Sequence, residues 1–170
     1  MLLKNVNSKL NEQIKHEAEA SQIYLGMAVW SDIEALGGAA EFFYAQSEEE
    51  REHMLKIVRF VSGVGGEAVI PSTSTPPAKY KSLKDAVKKA LMNEKNVIAS
   101  INKLTSLALT EKDHASYNFL QWFVNEQLEE EQQIQSILTR FELIGEEGMA
   151  IHSIDKMMEE MASKSVEKPT

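Results

Sequence analysis

The sequence predicts an all-α protein: a four-helix bundle with one long crossover between helices two and three, followed by a short fifth C-terminal helix. Three of the four prolines, Pro71, Pro76 and Pro77, fall in one stretch between Gly63 and Lys81. Outside that stretch the chain is rich in Ala, Leu, Glu, Lys and Gln, which favour helix. Apolar residues there recur in alternating steps of three and four, the spacing of a bundle core.

Turn residues divide the chain into its helices. Besides the proline-containing loop, weaker breaks occur at 36–38, 110–113 and 145–148. Ser82 and Asp113 are suited to cap the third and fourth helices at their N-termini. The predicted helices span about 6–35, 39–62, 82–110, 113–144 and 147–162. We expect residues 1–162 to form one domain and 163–170 to form a flexible tail.

Loop lengths predict the directions of the helices. The first–second and third–fourth connections are short, so each joins an antiparallel pair. A helix of about 28 residues is roughly 42 Å long, and a stretched loop of about 17 residues reaches roughly 55 Å. The middle loop can therefore run the full length of the bundle, which makes helices two and three parallel.

Composition and charge exclude several classes of protein. The net charge is −8, and 26 acidic against 18 basic residues give no reason to expect binding to nucleic acid or to an anionic membrane. Because the chain has no cysteine, it has no disulfides, thiolate zinc sites or cysteine-ligated clusters. The N-terminus lacks the apolar run of a signal peptide, and no segment has the apolar length to span a membrane. We expect a cytoplasmic protein.

Each long helix carries ionisable or polar residues near the middle of its apolar stripe. Because helices of similar length meet at their midpoints, these side chains are expected to converge on one level of the bundle. Any one glutamate read alone favours a solvated position, since Glu is rarely buried without a partner. However, errors in assigning the register of the four helices would be independent, so they would place these residues at different heights along the bundle. The interrupting residues are Glu17, Glu50, His53, Glu94, Gln127 and Glu130.

The charge at this level predicts a metal site. The four glutamates bring a charge of −4, and no Lys or Arg shares their positions. Because an uncompensated buried carboxylate is costly, two divalent cations are the simplest compensation. Oxygen ligands with one imidazole suit iron or manganese. Glu50 and His53 lie one helical turn apart, so both face the same way.

Three local motifs carry a resemblance to a known family. They are Leu10-Asn-Glu-Gln13 before Glu17, Glu49-Glu50-x-x-His53-Met54, and Asn118-Phe-Leu-Gln-Trp122-Phe-Val-Asn-Glu-Gln127. With these motifs the chain resembles the bacterial non-haem ferritins, of the ferritin-like diiron superfamily, over essentially its whole length. Such proteins take one Glu from each of two helices and Glu-x-x-His from the other two. The pattern of core glutamates is thus part of the resemblance and not separate support for it.

The resemblance implies a ferroxidase that stores and detoxifies iron. Such a protein binds two Fe(II) at a dinuclear centre within each subunit and oxidises them with dioxygen or hydrogen peroxide. The Fe(III) is deposited as mineral inside a hollow homo-oligomeric shell, by resemblance a 24-mer cage. Such proteins can also hold a third, accessory iron.

Roles for the central residues follow from the resemblance. Glu17, Glu50 and His53 resemble the first iron site, with Glu50 bridging to the second. Glu94 and Glu130 resemble that second site. All five are assigned both metal-binding and catalytic roles.

Roles for the surrounding residues are also implied. Gln127 lies close to the second site and is assigned to metal binding. Tyr24 resembles the tyrosine near the family's diiron centre and is assigned to catalysis, although an ordinary core tyrosine explains it equally well. Trp122 is interpreted as core packing or as a source of electrons. The accessory third iron site is implied at Glu49, Glu126 and Glu129, beside Glu130.

Some positions depart from relatives of other types. Gln127-x-x-Glu130 stands where bacterioferritins have a second Glu-x-x-His, and Arg51 stands where they carry the haem-ligating methionine. We therefore expect no haem. Tyr117 and Leu120 stand where animal ferritins have acidic pore residues, which leaves the iron entry route open.

Three other functions stay open at this point. A peroxide-reducing diiron protein like the rubrerythrins would need a reductant during turnover, and the chain lacks the cysteines of the usual rubredoxin module. A DNA-protecting mini-ferritin would place its iron ligands between subunits and would lack the fifth helix. A purely structural bundle with a misread core would fail to bind iron tightly.

Overall fold

Five helices make up the structure, a computed structural model that describes residues 2–165. The helices are α1 (Lys4–Ile33), α2 (Gly37–Gly63), α3 (Leu83–Thr110), α4 (His114–Ile144) and α5 (Met149–Ser165). Every boundary lies within three residues of its predicted position, and the all-α prediction is confirmed. Of the expected tail, residues 163–165 continue α5, and residues 166–170 lie outside the described part of the chain.

Two separate apolar cores show how the helices run. One, here called the α5 core, joins the ends of α1 and α4 to the starts of α2 and α3, with α5 packed over it. The other, the opposite core, joins the starts of α1 and α4 to the ends of α2 and α3. Helices α2 and α3 are therefore parallel to each other and antiparallel to α1 and α4, as predicted.

The crossover loop, residues 64–82, runs along α1 from end to end. Near its start, the side-chain amide of Asn11 donates to the carbonyl oxygen of Glu67 at 2.8 Å. Near its end, the Tyr80 ring packs edge-on against Trp30, with 5.3 Å between centroids. Between them Gly26 admits the loop, since a Cβ there would lie 3.1 Å from the Pro77 carbonyl oxygen. The predicted full-length crossing is confirmed.

Side chains cap three of the helices. Ser82 Oγ accepts from the N–H of Asp85 at 3.2 Å, as predicted for the start of α3. Asp113 caps α4 in the same way. The start of α2 is capped from a distance, because Asp155 of α5 accepts from the N–H of Ala39 at 2.8 Å.

In the described part of the chain, no helix has the length and apolar character required to cross a bilayer.

Candidate metal centre

A layer of buried polar side chains separates the two apolar cores. Each of its members is at most 4% exposed, although isolated residues of these types are normally found at the surface. The six residues that interrupt the predicted stripes all lie in this layer, together with two further glutamines. The members are Gln13, Glu17, Gln46, Glu50, His53, Glu94, Gln127 and Glu130.

A pair of serines fixes the register of α1 against α2 beside this layer. The Ser21 hydroxyl donates to the carbonyl oxygen of Ser47 at 2.8 Å, and the Ser47 hydroxyl donates to that of Ser21 at 2.8 Å. Both small side chains are buried, so the two helices approach closely. Ser21 lies one turn after Glu17, and Ser47 lies one turn before Glu50. The serine pair therefore helps to place those two carboxylates side by side.

Two groups of potential metal ligands share Glu50. Glu17, Glu50 and His53 form the first group, in which one ligand atom from each residue lies within 4.8 Å of the others. Glu50, Glu94 and Glu130 form the second group by the same measure. This geometry suits two ions with Glu50 between them.

His53 lies between two of the carboxylates. Its Nδ1 atom is 3.4 Å from Glu50 Oε2, and its Nε2 atom is 3.6 Å from Glu130 Oε1. Aromatic rings enclose it on the outer side: Trp122 at 5.3 Å and Phe123 at 5.7 Å between centroids, both edge-on. The imidazole is thus held in place from both sides.

The carboxylates of this layer repel one another in a poorly solvated place. Burial, and then the charge of a neighbouring carboxylate, raises the pKa of Glu17, Glu50 and Glu130 well above that of an ordinary glutamate. Burial raises the pKa of Glu94 to about 7, although a hydrogen bond from Tyr24 opposes the rise. Among residues 2–165, these carboxylates form ion pairs only with His53. In this part of the chain, the layer therefore has no lysine or arginine partner for the charge of four ionised glutamates.

Two buried groups donate hydrogen bonds to these carboxylates. The Tyr24 hydroxyl donates to Glu94 Oε1, and Tyr24 has no exposed surface. The Gln13 amide donates to Glu17 Oε1 at 2.8 Å. Sequence reasoning did not assign a role to Gln13, although its polar side chain at a core position was the available signal.

A third ligand group lies beside the first two. Glu49, His53 and Glu126 each offer an atom within 4.8 Å of the others, and both glutamates are half-buried. The buried amide of Gln46, a second residue without an assigned role, donates to Glu49 Oε2 at 2.9 Å. Glu129 is exposed and belongs to none of the three groups. The structure therefore joins Glu49 and Glu126 to His53 and leaves Glu129 outside that group.

Comparison with protein families decides the relationship of this chain. A model of the family described as the ferritin-like domain matches residues 7–144. The chain belongs to the ferritin-like family. The matched residues include the members of all three ligand groups.

Individual relatives of this ferritin-like chain agree over nearly the full length. It is 37% identical over 165 residues to a probable bacterial non-haem ferritin-like protein of Haemophilus influenzae, covering 97% of this chain and 100% of that one. It is 36% identical over 162 residues to the bacterial non-haem ferritin of Campylobacter jejuni, covering 95% and 97%. The fold matches an open-pore ferritin of Archaeoglobus fulgidus with a TM-score of 0.90, at 35% identity over 94% and 98% of the two chains. The resemblance to bacterial non-haem ferritins is confirmed.

Proposed function

We propose that this ferritin-like protein is a ferroxidase that stores iron. It binds two Fe(II) as substrate at the buried layer and oxidises them with dioxygen or hydrogen peroxide. The resulting Fe(III) passes to a mineral inside a hollow oligomer. Membership of the ferritin family supports iron storage in general. The observation that carries the oxidation step is the pair of ligand groups sharing Glu50.

Charge balance supports two divalent ions. Four ionised glutamates bring −4, and two Fe(II) bring +4, so the loaded layer is neutral before the imidazole is counted. Without metal, burial holds protons on these carboxyls, so binding of Fe(II) releases protons. Carboxylate oxygens with one imidazole nitrogen are donors that iron accepts well.

Each residue then has a defined task. Glu17 and His53 hold one Fe(II), Glu94 and Glu130 hold the other, and Glu50 contacts both. Each Fe(II) gives up one electron, so the pair reduces one dioxygen to hydrogen peroxide with uptake of two protons. With hydrogen peroxide as oxidant, the same two electrons and two protons yield two molecules of water.

The outer residues assist this centre. Tyr24 orients Glu94 through its hydrogen bond, and Gln127 is buried one turn before Glu130. Iron in transit is held by Glu49 and Glu126, with Glu129 one turn further along the surface. Leu120 is fully buried in the opposite core, so of the two positions corresponding to acidic pore residues only Tyr117 is available to line an entry route.

The assembly is a homo-oligomeric cage, which we expect to be a 24-mer in the cytoplasm. Solved ferritins of the same fold support a cage, and the relative from Archaeoglobus fulgidus is described as having open pores.

Two of the alternative functions are less well supported. The ligand groups lie within one subunit and α5 is present, unlike a mini-ferritin. The glutamates are buried, which argues against a misread core.

Stopped-flow measurement of Fe(II) oxidation tests the proposal. Glu50→Ala and His53→Ala should each slow the initial oxidation by on the order of tenfold or more, because each removes a ligand. Glu48→Ala is the matched control, since Glu48 is an exposed member of the same acidic run and should oxidise Fe(II) like the parent. Unchanged rates in both ligand variants would end the assignment. A requirement for an added reductant during peroxide turnover would favour the rubrerythrin-like alternative.

A further inference from the structure

Gln13 has an unusual position for an uncharged amide. It lies one turn before Glu17 on α1 and has no exposed surface. Its neighbours on the helix, Leu10 and Ile14, belong to the opposite core. The side chain therefore stands at the boundary where the apolar core gives way to the polar layer.

Gln13 donates a hydrogen bond to only one of the two carboxylate oxygens of Glu17. Gln13 Nε2 donates to Glu17 Oε1 at 2.8 Å. Glu17 Oε2 is buried and accepts no hydrogen bond from an amide, hydroxyl or other N–H group within residues 2–165. One oxygen is thus engaged by the amide, and the other remains available to a ligand.

The amide oxygen of Gln13 is itself unsatisfied. Gln13 Oε1 is buried and accepts no hydrogen bond from any described residue. Buried polar atoms almost always find a partner, so an exception calls for a donor that arrives from elsewhere. An Fe(II) held by Glu17, Glu50 and His53 would complete its coordination with water, and the O–H groups of that water would be donors of the required kind.

We propose that Gln13 is a positioning residue that holds Glu17 as a single-oxygen ligand of the first Fe(II) and accepts a hydrogen bond from water on that ion. This inference rests on the proposed function. It assigns Gln13 a specific effect on one of the two ions, because its hydrogen bond reaches Glu17 and the second ligand group does not contain Glu17.

Anaerobic calorimetry of Fe(II) binding to the metal-free assembled protein tests the inference without oxidation. Glu17→Ala identifies the binding step that depends on Glu17. Gln13→Met keeps a side chain of similar length without hydrogen bonds, and it should weaken that step by about 10- to 100-fold. The other step should stay within about twofold of the parent.

The matched control is Gln133→Met. Gln133 also carries a buried amide oxygen without a hydrogen-bond partner among the described residues, and it is not a member of the buried polar layer. Its replacement should leave both binding steps unchanged. If Gln13→Met binds Fe(II) like the parent, or weakens both steps equally, the inference is overturned. If the parent shows no step that Glu17→Ala removes, the proposed function itself fails.

A second readout concerns the geometry of Glu17. Crystals soaked anaerobically with Fe(II) should show Glu17 binding through one oxygen in the parent and through both in Gln13→Met. Two-oxygen binding in the parent would overturn the inference, even if the two affinities differ.

Discussion

Among single residues, the buried glutamates link the stability of the metal-free protein to pH. The pKa of Glu94 in the folded chain is about 7, above its ordinary value of 4.5. Folding therefore favours the protonated form of Glu94. This protonation contributes fully to the stability of the folded chain below pH 4.5, and the contribution is lost as the pH rises through 7. Binding of the proposed Fe(II) ions would remove this penalty, because the charge of the ion would replace the proton.

Glu94→Gln should therefore stabilise the metal-free protein at alkaline pH. The amide oxygen can still accept the hydrogen bond from Tyr24, while the charge is gone. The free energy of unfolding at pH 8 should rise by up to about 3 kcal/mol per subunit, and the gain should shrink towards pH 4.5. Scanning calorimetry of chelator-treated protein measures this, with the exposed Glu48→Gln as control. A variant that melts below the parent at pH 8 would refute the assigned electrostatics.

The third ligand group gives a second test at the scale of residues. Glu49→Ala and Glu126→Ala should each keep fast oxidation of the first two irons but change the number of Fe(II) oxidised per dioxygen. Glu129→Ala should change that ratio less, because Glu129 lies outside the group. An oxygen electrode combined with stopped flow measures both quantities. If all three variants and the parent oxidise the same number of Fe(II) per dioxygen, the third ligand group is only surface charge.

The sequence predicted which ionisable residues are buried in the middle of the bundle, because charge at a core position stands out from an apolar stripe. It did not predict that His53 joins Glu49 and Glu126, because that depends on the rotation of α2 and α4 about their axes. It also missed Gln13, since an uncharged amide at a core position is a weaker signal than a carboxylate.

Among the helices, α5 packs closely against the start of α2. A Cβ on Gly38 would lie 2.0 Å from the Asp155 carbonyl oxygen, so only glycine permits this approach. The Asp155 side chain also caps α2 at Ala39. These contacts join segments 116 residues apart. The helices and the crossover follow from local composition and loop length, whereas no local pattern reveals this long-range contact.

Gly38→Ala should displace α5 and lower the melting temperature of the assembled protein. The backbone of Asp155 would have to move, and loss of a cap alone costs about 1 kcal/mol. Gly37→Ala is the matched control, because a Cβ there meets nothing within 4 Å. It should be neutral or slightly stabilising, since Ala favours helix over Gly. Equal melting temperatures for the two variants would show that the contact is unimportant.

For the whole molecule, the outer face of α1 points to association between subunits. Leu25, Val29 and Ile33 recur every four residues and are 37%, 47% and 74% exposed. A stripe of large apolar side chains open to water is typical of an interface. This feature agrees with the cage expected from the family.

Light scattering of the purified protein under iron-loading conditions measures that assembly. We expect a mass corresponding to a 24-mer. Replacing Val29 by Lys should shift the population towards smaller species. A parent protein that remains a monomer or dimer would contradict the cage.

The central claim is that two ions lie on either side of Glu50 in the middle of one bundle. Anomalous diffraction at the iron edge, from crystals soaked anaerobically with Fe(II), measures this most directly. The account predicts two peaks per subunit, one among Glu17, Glu50 and His53 and the other among Glu50, Glu94 and Glu130. No peak in this layer, or iron bound only at surface carboxylates, would contradict it.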